Sequence, residues 1–246
     1  MDEHERRLDS ELASEATRLC RRYVDEIVLE FDLCPWAAPA LRGDRVQISV
    51  INRQIDAALD YAEAAADTAD RLDRAAAEPS LDLVLLVFPR CHVGRLEFEK
   101  LQRALRHELA ARAGGGEVSF ALAAFHPEAD VDTASPERLI PYLRRSPDPL
   151  LQAVRTSVLR RVEGPRPSGT GFVNAELVLA LAESPAPPEP LRLRIARANL
   201  ATWQAGGAAT LQTRIEAIHE DRRVSYRRIL GDEAGDHDAP SSRTRT

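Results

Sequence analysis

Leu81-Asp82-Leu83-Val84-Leu85-Leu86-Val87-Phe88, closed by Pro89, is the stretch on which the fold assignment turns. It is almost continuously aliphatic and shows no alternation of apolar and polar positions. Such a run predicts a strand buried on both faces, the pattern of a parallel sheet interior. A strand of that kind needs helices above and below it, and the flanking sequence supplies candidates on both sides.

Upstream, residues 54–78 are alanine-rich, with Leu59, Ala62, Ala66, Ala69 and Leu72 on one face, which predicts a helix ended by Pro79. Before it lies a short β-rich run, Val46 to Ile51. Earlier still, Leu12, Ala16, Leu19, Tyr23, Ile27 and Phe31 recur at steps of three and four, marking a helix that must end near Cys34-Pro35. Downstream, Leu96 to Ala113 predicts a helix stopped by Gly114-Gly115-Gly116, and Val118 to Phe125 a further strand. This alternation of helix and strand is the signature of crossover units. The expected fold class is α/β, with a small, mainly parallel sheet of three to four strands covered by helices.

Leu150, Val154, Val158 and Val162 predict one more helix, with Pro149 at its start and Glu163 at its end. Gly164-Pro165-Arg166-Pro167-Ser168-Gly169 breaks the chain. Residues 172–182 fit a helix or an extra strand equally, and Ser184 to Pro190 reads as a linker. From Leu191 to Leu230 the pattern is helical, interrupted at Gly206-Gly207. The expected organisation is an α/β core at 10–163, a proline-rich linker or insertion at 164–190, a helical cap at 191–231 packed on the core, and a polar, disordered tail at 232–246.

The chain's 246 residues are 44% hydrophobic and 29% charged, enough for one substantial core. A net charge of -6 with both signs interspersed argues against nucleic acid as a partner. No apolar run reaches bilayer-spanning length and the N-terminus lacks a signal-peptide plan, so no membrane association is expected, and the expected location is the cytoplasm. Cys20, Cys34 and Cys91 are odd in number and lack CxxC spacing, which predicts reduced thiols. Lys100 is the only lysine, so Schiff-base chemistry and a phosphate-binding P-loop are not expected.

If the three strands are parallel, their carboxyl ends share the edge where open α/β sheets bind ligands. That edge receives Pro89-Arg90-Cys91-His92 and Phe125-His126-Pro127. His126 follows an apolar strand and precedes a proline, which makes it the leading candidate for an acid or base; its structural alternative is a strand cap. Arg144, Arg145 and Ser146 precede a helix start expected near Pro149, an arrangement suited to an anion, although Asp148 could itself be that helix's cap. Cys34 is a candidate nucleophile opposed by its setting at a helix carboxyl end beside Glu30 and Asp32. A metal site from Cys34, Cys91, His92 and His126 lacks ligand spacing, and no metal ligand is assigned.

Leu33-Cys34-Pro35-Trp36-Ala37, Val87-Phe88-Pro89, Phe125-His126-Pro127, Arg145-Ser146-Pro147 with Pro149 and Arg155, and Ile195 with Asn199 follow one another in an order that resembles the DUF1415 family of bacterial proteins, a domain of unknown function. The resemblance spans most of residues 10–207. It implies a compact cytoplasmic domain and supplies no reaction, ligand or cofactor. By position Cys34, His126, Arg145, Ser146 and Arg155 match its motifs. The chain departs from the family where asparagine before Arg-Ser-Pro, an aromatic between the prolines and a later histidine are usual; those places hold Arg144, Asp148 and Gln152.

The resulting expectation is an enzyme acting on a small carboxylate- or phosphate-bearing molecule. His126 and Cys34 would be catalytic, and Arg144, Arg145, Ser146, Arg155 and His92 would bind substrate. The alternatives are a non-catalytic binding module for a small molecule or a protein, and a metal-binding protein.

Overall fold

The computed structural model describes residues 2–34, 37–56, 58, 60–129, 131–163 and 191–231. The expected linker at 164–190, the expected tail at 232–246, and Pro35 and Trp36 lie outside these. Helix α1 (Glu3–Tyr23) opens with a capping box in which Asp2 accepts from the Glu5 N–H and Glu5 from the Asp2 N–H, each at 2.8 Å. It continues through a π-helical turn at Val24–Leu29. Then follow α2 (Ala37–Arg42), β1 (Val46–Val50), α3 (Tyr61–Ala76), β2 (Leu83–Val87), α4 (Arg95–Arg112), β3 (Phe120–Phe125), α5 (Pro136–Leu143), β4 (Leu150–Arg155) and α6 (Thr156–Glu163). Helices α7 (Leu191–Thr202) and α8 (Ala208–Leu230) flank a π-helical turn at Trp203–Gly207, where Gly206 takes φ +99°, a conformation suited to glycine.

The four strands form one sheet in the order β1-β2-β4-β3. β1 and β2 pair in parallel, whereas β4 pairs antiparallel with both β2 and β3. The sheet is therefore mixed, with one parallel pair, and the expectation of a mainly parallel sheet is corrected. The cause is the segment expected as the start of a helix. Leu150 to Arg155 is a strand, and only from Thr156 does the chain become helical. Its i, i+4 spacing of Leu150, Val154 and Val158 imitates a helix because a central strand buries both faces: Leu150, Leu151, Ala153 and Val154 are all buried. No glycine or proline separates strand from helix.

β2 satisfies its aliphatic run in two directions. Leu83, Leu85 and Val87 enter a core formed with α1, α5 and α8, while Val84, Leu86 and Phe88 enter a second core under α3 and α4. β4 divides likewise, Leu150 and Val154 on the first side and Leu151 and Ala153 on the second. The sheet is thus the middle of three layers. Among the described residues no helix is long and apolar enough to cross a membrane.

Leu151 is fully buried in the central strand β4, so Leu151→Ala is expected to lower stability in urea unfolding by about 2–5 kcal/mol. Leu96→Ala, at a side chain 64% exposed on α4, is expected to stay within about 0.5 kcal/mol of the parent.

Candidate functional site

Because β4 runs against both its neighbours, β2 and β3 point the same way, and their carboxyl ends meet the start of β4 at one end of the sheet. His126 and the Arg144–Pro149 loop converge there. The His126 backbone N–H donates to the Arg144 carbonyl at 3.0 Å. Its ring is 5% exposed and tilted against Phe98 of α4. Nε2 lies 3.0 Å from the Val93 carbonyl, and Nδ1 accepts the Glu128 N–H at 3.2 Å. A carbonyl only accepts, so Nε2 carries the proton and the ring is neutral. Burial is the main cause that holds its pKa below the ordinary 6.5, against the upward pull of the Val93 carbonyl and Glu128.

The loop after α5 is bound inward at nearly every polar group. The Arg145 guanidinium donates to the Pro127 carbonyl at 2.8 Å and lies 5.3 Å from the Tyr142 ring centre. Ser146 is fully buried and its hydroxyl donates to the Asp148 carbonyl at 2.5 Å. Asp148, 1% exposed, accepts Arg222 Nε at 2.7 Å on one oxygen and the Tyr226 hydroxyl at 2.7 Å on the other. Both partners lie on α8, one helical turn apart, so the carboxylate holds that helix against the sheet. Arg144 places its guanidinium 5.2 Å over the Phe125 ring.

The other sequence candidates are spread over the molecule. Cys34 follows Leu33, which packs into the α1-side core, and is close enough to Tyr23 to act on its hydroxyl electrostatically. Tyr23 packs edge-on against Phe125, whereas His126 packs on Phe98, across the sheet. The residue before Cys34 and the His126 ring therefore pack on opposite faces of the sheet. His92 is exposed, with its backbone N–H on the Ile55 carbonyl at 2.8 Å. Arg155 lies at the far end of β4, where it donates to the carbonyls of Leu81 at 2.6 Å and Glu78 at 2.8 Å and closes the end of α3. Burial pushes the thiols of Cys20 and Cys91 up to about 12. Among the described residues no group of three or more His, Cys, Asp or Glu gathers to hold a metal ion.

A cleft of about 360 Å³ opens beside His126, between α4 and the outer edge of β3. Arg95, Phe98, Glu99, Gln102 and Arg106 line it from one face of α4, Leu122 to Ala124 from β3, and Pro141 and Arg144 complete it. Arg95 is paired with Glu99 at 2.5 Å. Gln102 and Arg106 both donate to the Leu122 carbonyl, at 3.0 and 2.6 Å. Three arginines thus stand against one carboxylate among the lining residues. Sequence reasoning missed Arg95 and Arg106, since both fall among ordinary polar positions of an amphipathic helix. The available signal was their spacing with Glu99 and Gln102, which keeps all four beside the buried Phe98 stripe.

Fold and cleft together define a single-sheet, three-layer α/β protein with an arginine-lined groove at a sheet edge. A family model described as a protein of unknown function, DUF1415, matches residues 15–169, and the chain belongs to that family. No curated protein and no solved structure gave a match. Helix α8 lies outside the matched residues, yet its Arg222 and Tyr226 hold Asp148, which lies inside them.

Two outcomes follow. The Asp148–Arg222 pair is 1% and 15% exposed, and removing one partner strands a buried charge, so Arg222→Ala is expected to cost about 3–5 kcal/mol in urea unfolding. A cost below about 1 kcal/mol, the range of a surface pair, would contradict that role. His126 titrates at a lower pH folded than unfolded, so the unfolded chain binds the proton first and stability is lost as pH falls below about 6.5. The melting temperature is expected to drop between about pH 7.5 and about pH 5.5, and the drop to shrink in His126→Gln. An equal drop in the variant would assign it to other groups.

Proposed function

We propose that this protein is a cytoplasmic binding protein for a small anionic molecule, carboxylate- or phosphate-bearing, which it takes up in the cleft between α4 and the edge of β3. The observation that carries this reading is the placement of two guanidiniums of α4, Arg95 and Arg106, with Glu99 on the wall of a partly apolar cavity. A volume near 360 Å³ suits a small ligand. Guanidinium forks match carboxylate and phosphate oxygens, and an apolar floor of Phe98 and the His126 ring lowers the local dielectric in which they act.

Binding is preferred here to catalysis. His126 has both ring nitrogens engaged with backbone groups, so acid or base work would first have to break one of those bonds. Cys34 is not among the described residues that line the cleft, so its thiol supplies no nucleophile there. Arg145, Ser146 and Arg155 serve the reading indirectly, by holding the loop and the end of α3 that frame the sheet.

Isothermal titration with inorganic phosphate and with succinate tests the proposal. One of them is expected to bind the parent, with an affinity that falls as salt rises. In Arg95→Gln/Arg106→Gln the dissociation constant is expected to rise about tenfold or more, the loss of a charge-assisted hydrogen bond. Absence of heat with both anions, or equal affinity in the double variant, would overturn it.

A further inference from the structure

We infer that the ligand of this cleft is a short N-acylated peptide, whose free carboxylate meets the arginines while its first residue pairs through its N–H and C=O with the backbone of Ala124 on the outer edge of β3. The inference rests on the anion-binding reading above and adds a second recognition element to it.

Among the described residues β3 is an outer strand of the sheet, paired through β4 alone. In an antiparallel ladder each residue presents its N–H and C=O to the same side, and successive residues alternate sides. The Leu122 carbonyl receives Gln102 and Arg106 from α4, so residue 122 faces away from β4. The His126 N–H donates to the Arg144 carbonyl, also away from β4. Ala124 stands between them in the same alternation, and its N–H and C=O therefore face the cleft that it lines. The outer edge of β3 thus holds partners at both ends, one of them backbone. Between them remains one donor and one acceptor, at the spacing of one antiparallel partner residue whose N–H and C=O belong to two adjacent amides.

The surroundings favour an amide there. Ala123 and Ala124 have the smallest side chains that strands normally carry, so a second backbone can approach to about 4.8 Å, the distance between paired strands. Edge pairing of this kind supplies affinity through main-chain hydrogen bonds, and neighbouring side chains supply selectivity. The arginines around the cleft give that selectivity a sign, toward a negative group.

The competing account is that Gln102 and Arg106 cover the edge only to prevent unwanted pairing. Nitrogen–proton correlation spectra of the full chain separate the two accounts. The probes are N-acetyl-alanyl-alanine, the same molecule with its acetyl amide replaced by an ester, its uncharged C-terminal amide, and inorganic phosphate. The acid is expected to shift the Ala124 amide resonance and to bind about tenfold more tightly than the ester, which has lost the first-residue N–H that donates to the Ala124 carbonyl. The C-terminal amide is expected to lose binding. If acid, ester and phosphate bind alike with Ala124 unmoved, the inference is overturned and the anion reading survives. If none of the four binds, both fall, and equal binding of acid and C-terminal amide would remove the carboxylate from each.

Discussion

The antiparallel insertion of β4 between β2 and β3 is the constraint on which the rest of this structure depends. Without it, two strands pointing the same way would be neighbours, and the chain between them would need no further role. With it, the Arg144–Pro149 loop must enter the sheet at the end where β2 and β3 leave. His126 and that loop are thereby brought within one hydrogen bond of each other. β3 is displaced to the outside of the sheet, where its outer edge and α4 enclose the cleft.

A strand that enters the middle of a sheet needs its leading loop held firmly, because its first residue begins two ladders at once. Leu150 faces Val87 on one side and Phe125 on the other. The preceding residues are immobilised accordingly, with Ser146 closing on Asp148 and Asp148 closing on α8. A buried ion pair contributes little net stability compared with an apolar substitute, but it tolerates only one geometry. Here that geometry sets where α8 crosses the first core. The short motifs Phe125-His126-Pro127 and Arg145-Ser146-Pro147 accordingly act together as one polar joint.

Much of the fold was legible in the chain. The uninterrupted aliphatic run of β2, the heptad-like stripe of α1 and the glycine stop after α4 each express a local physical rule, and the α/β class follows from their order. β4 was not legible, because a strand buried on both faces carries no alternation and its next helix continues the same four-residue spacing through Val158. Sequence also led to the right end of the sheet for His126, Arg144, Arg145 and Ser146. It could not separate Cys34 from His126, since faces of a sheet are assigned by register, nor foresee that Arg155 lies at the opposite end once β4 reverses. Arg95 and Arg106 became visible only when the edge they cover was known.

The most direct test of this account is a nuclear Overhauser measurement on Leu151 in solution. The account places Leu151 opposite Leu86 of β2 and opposite Ala124 of β3, so cross-strand contacts to both residues are predicted. Sequential helical contacts from Leu150 to Arg155, or contacts to only one of the two neighbouring strands, would contradict the central position of β4 and with it the placement of the cleft.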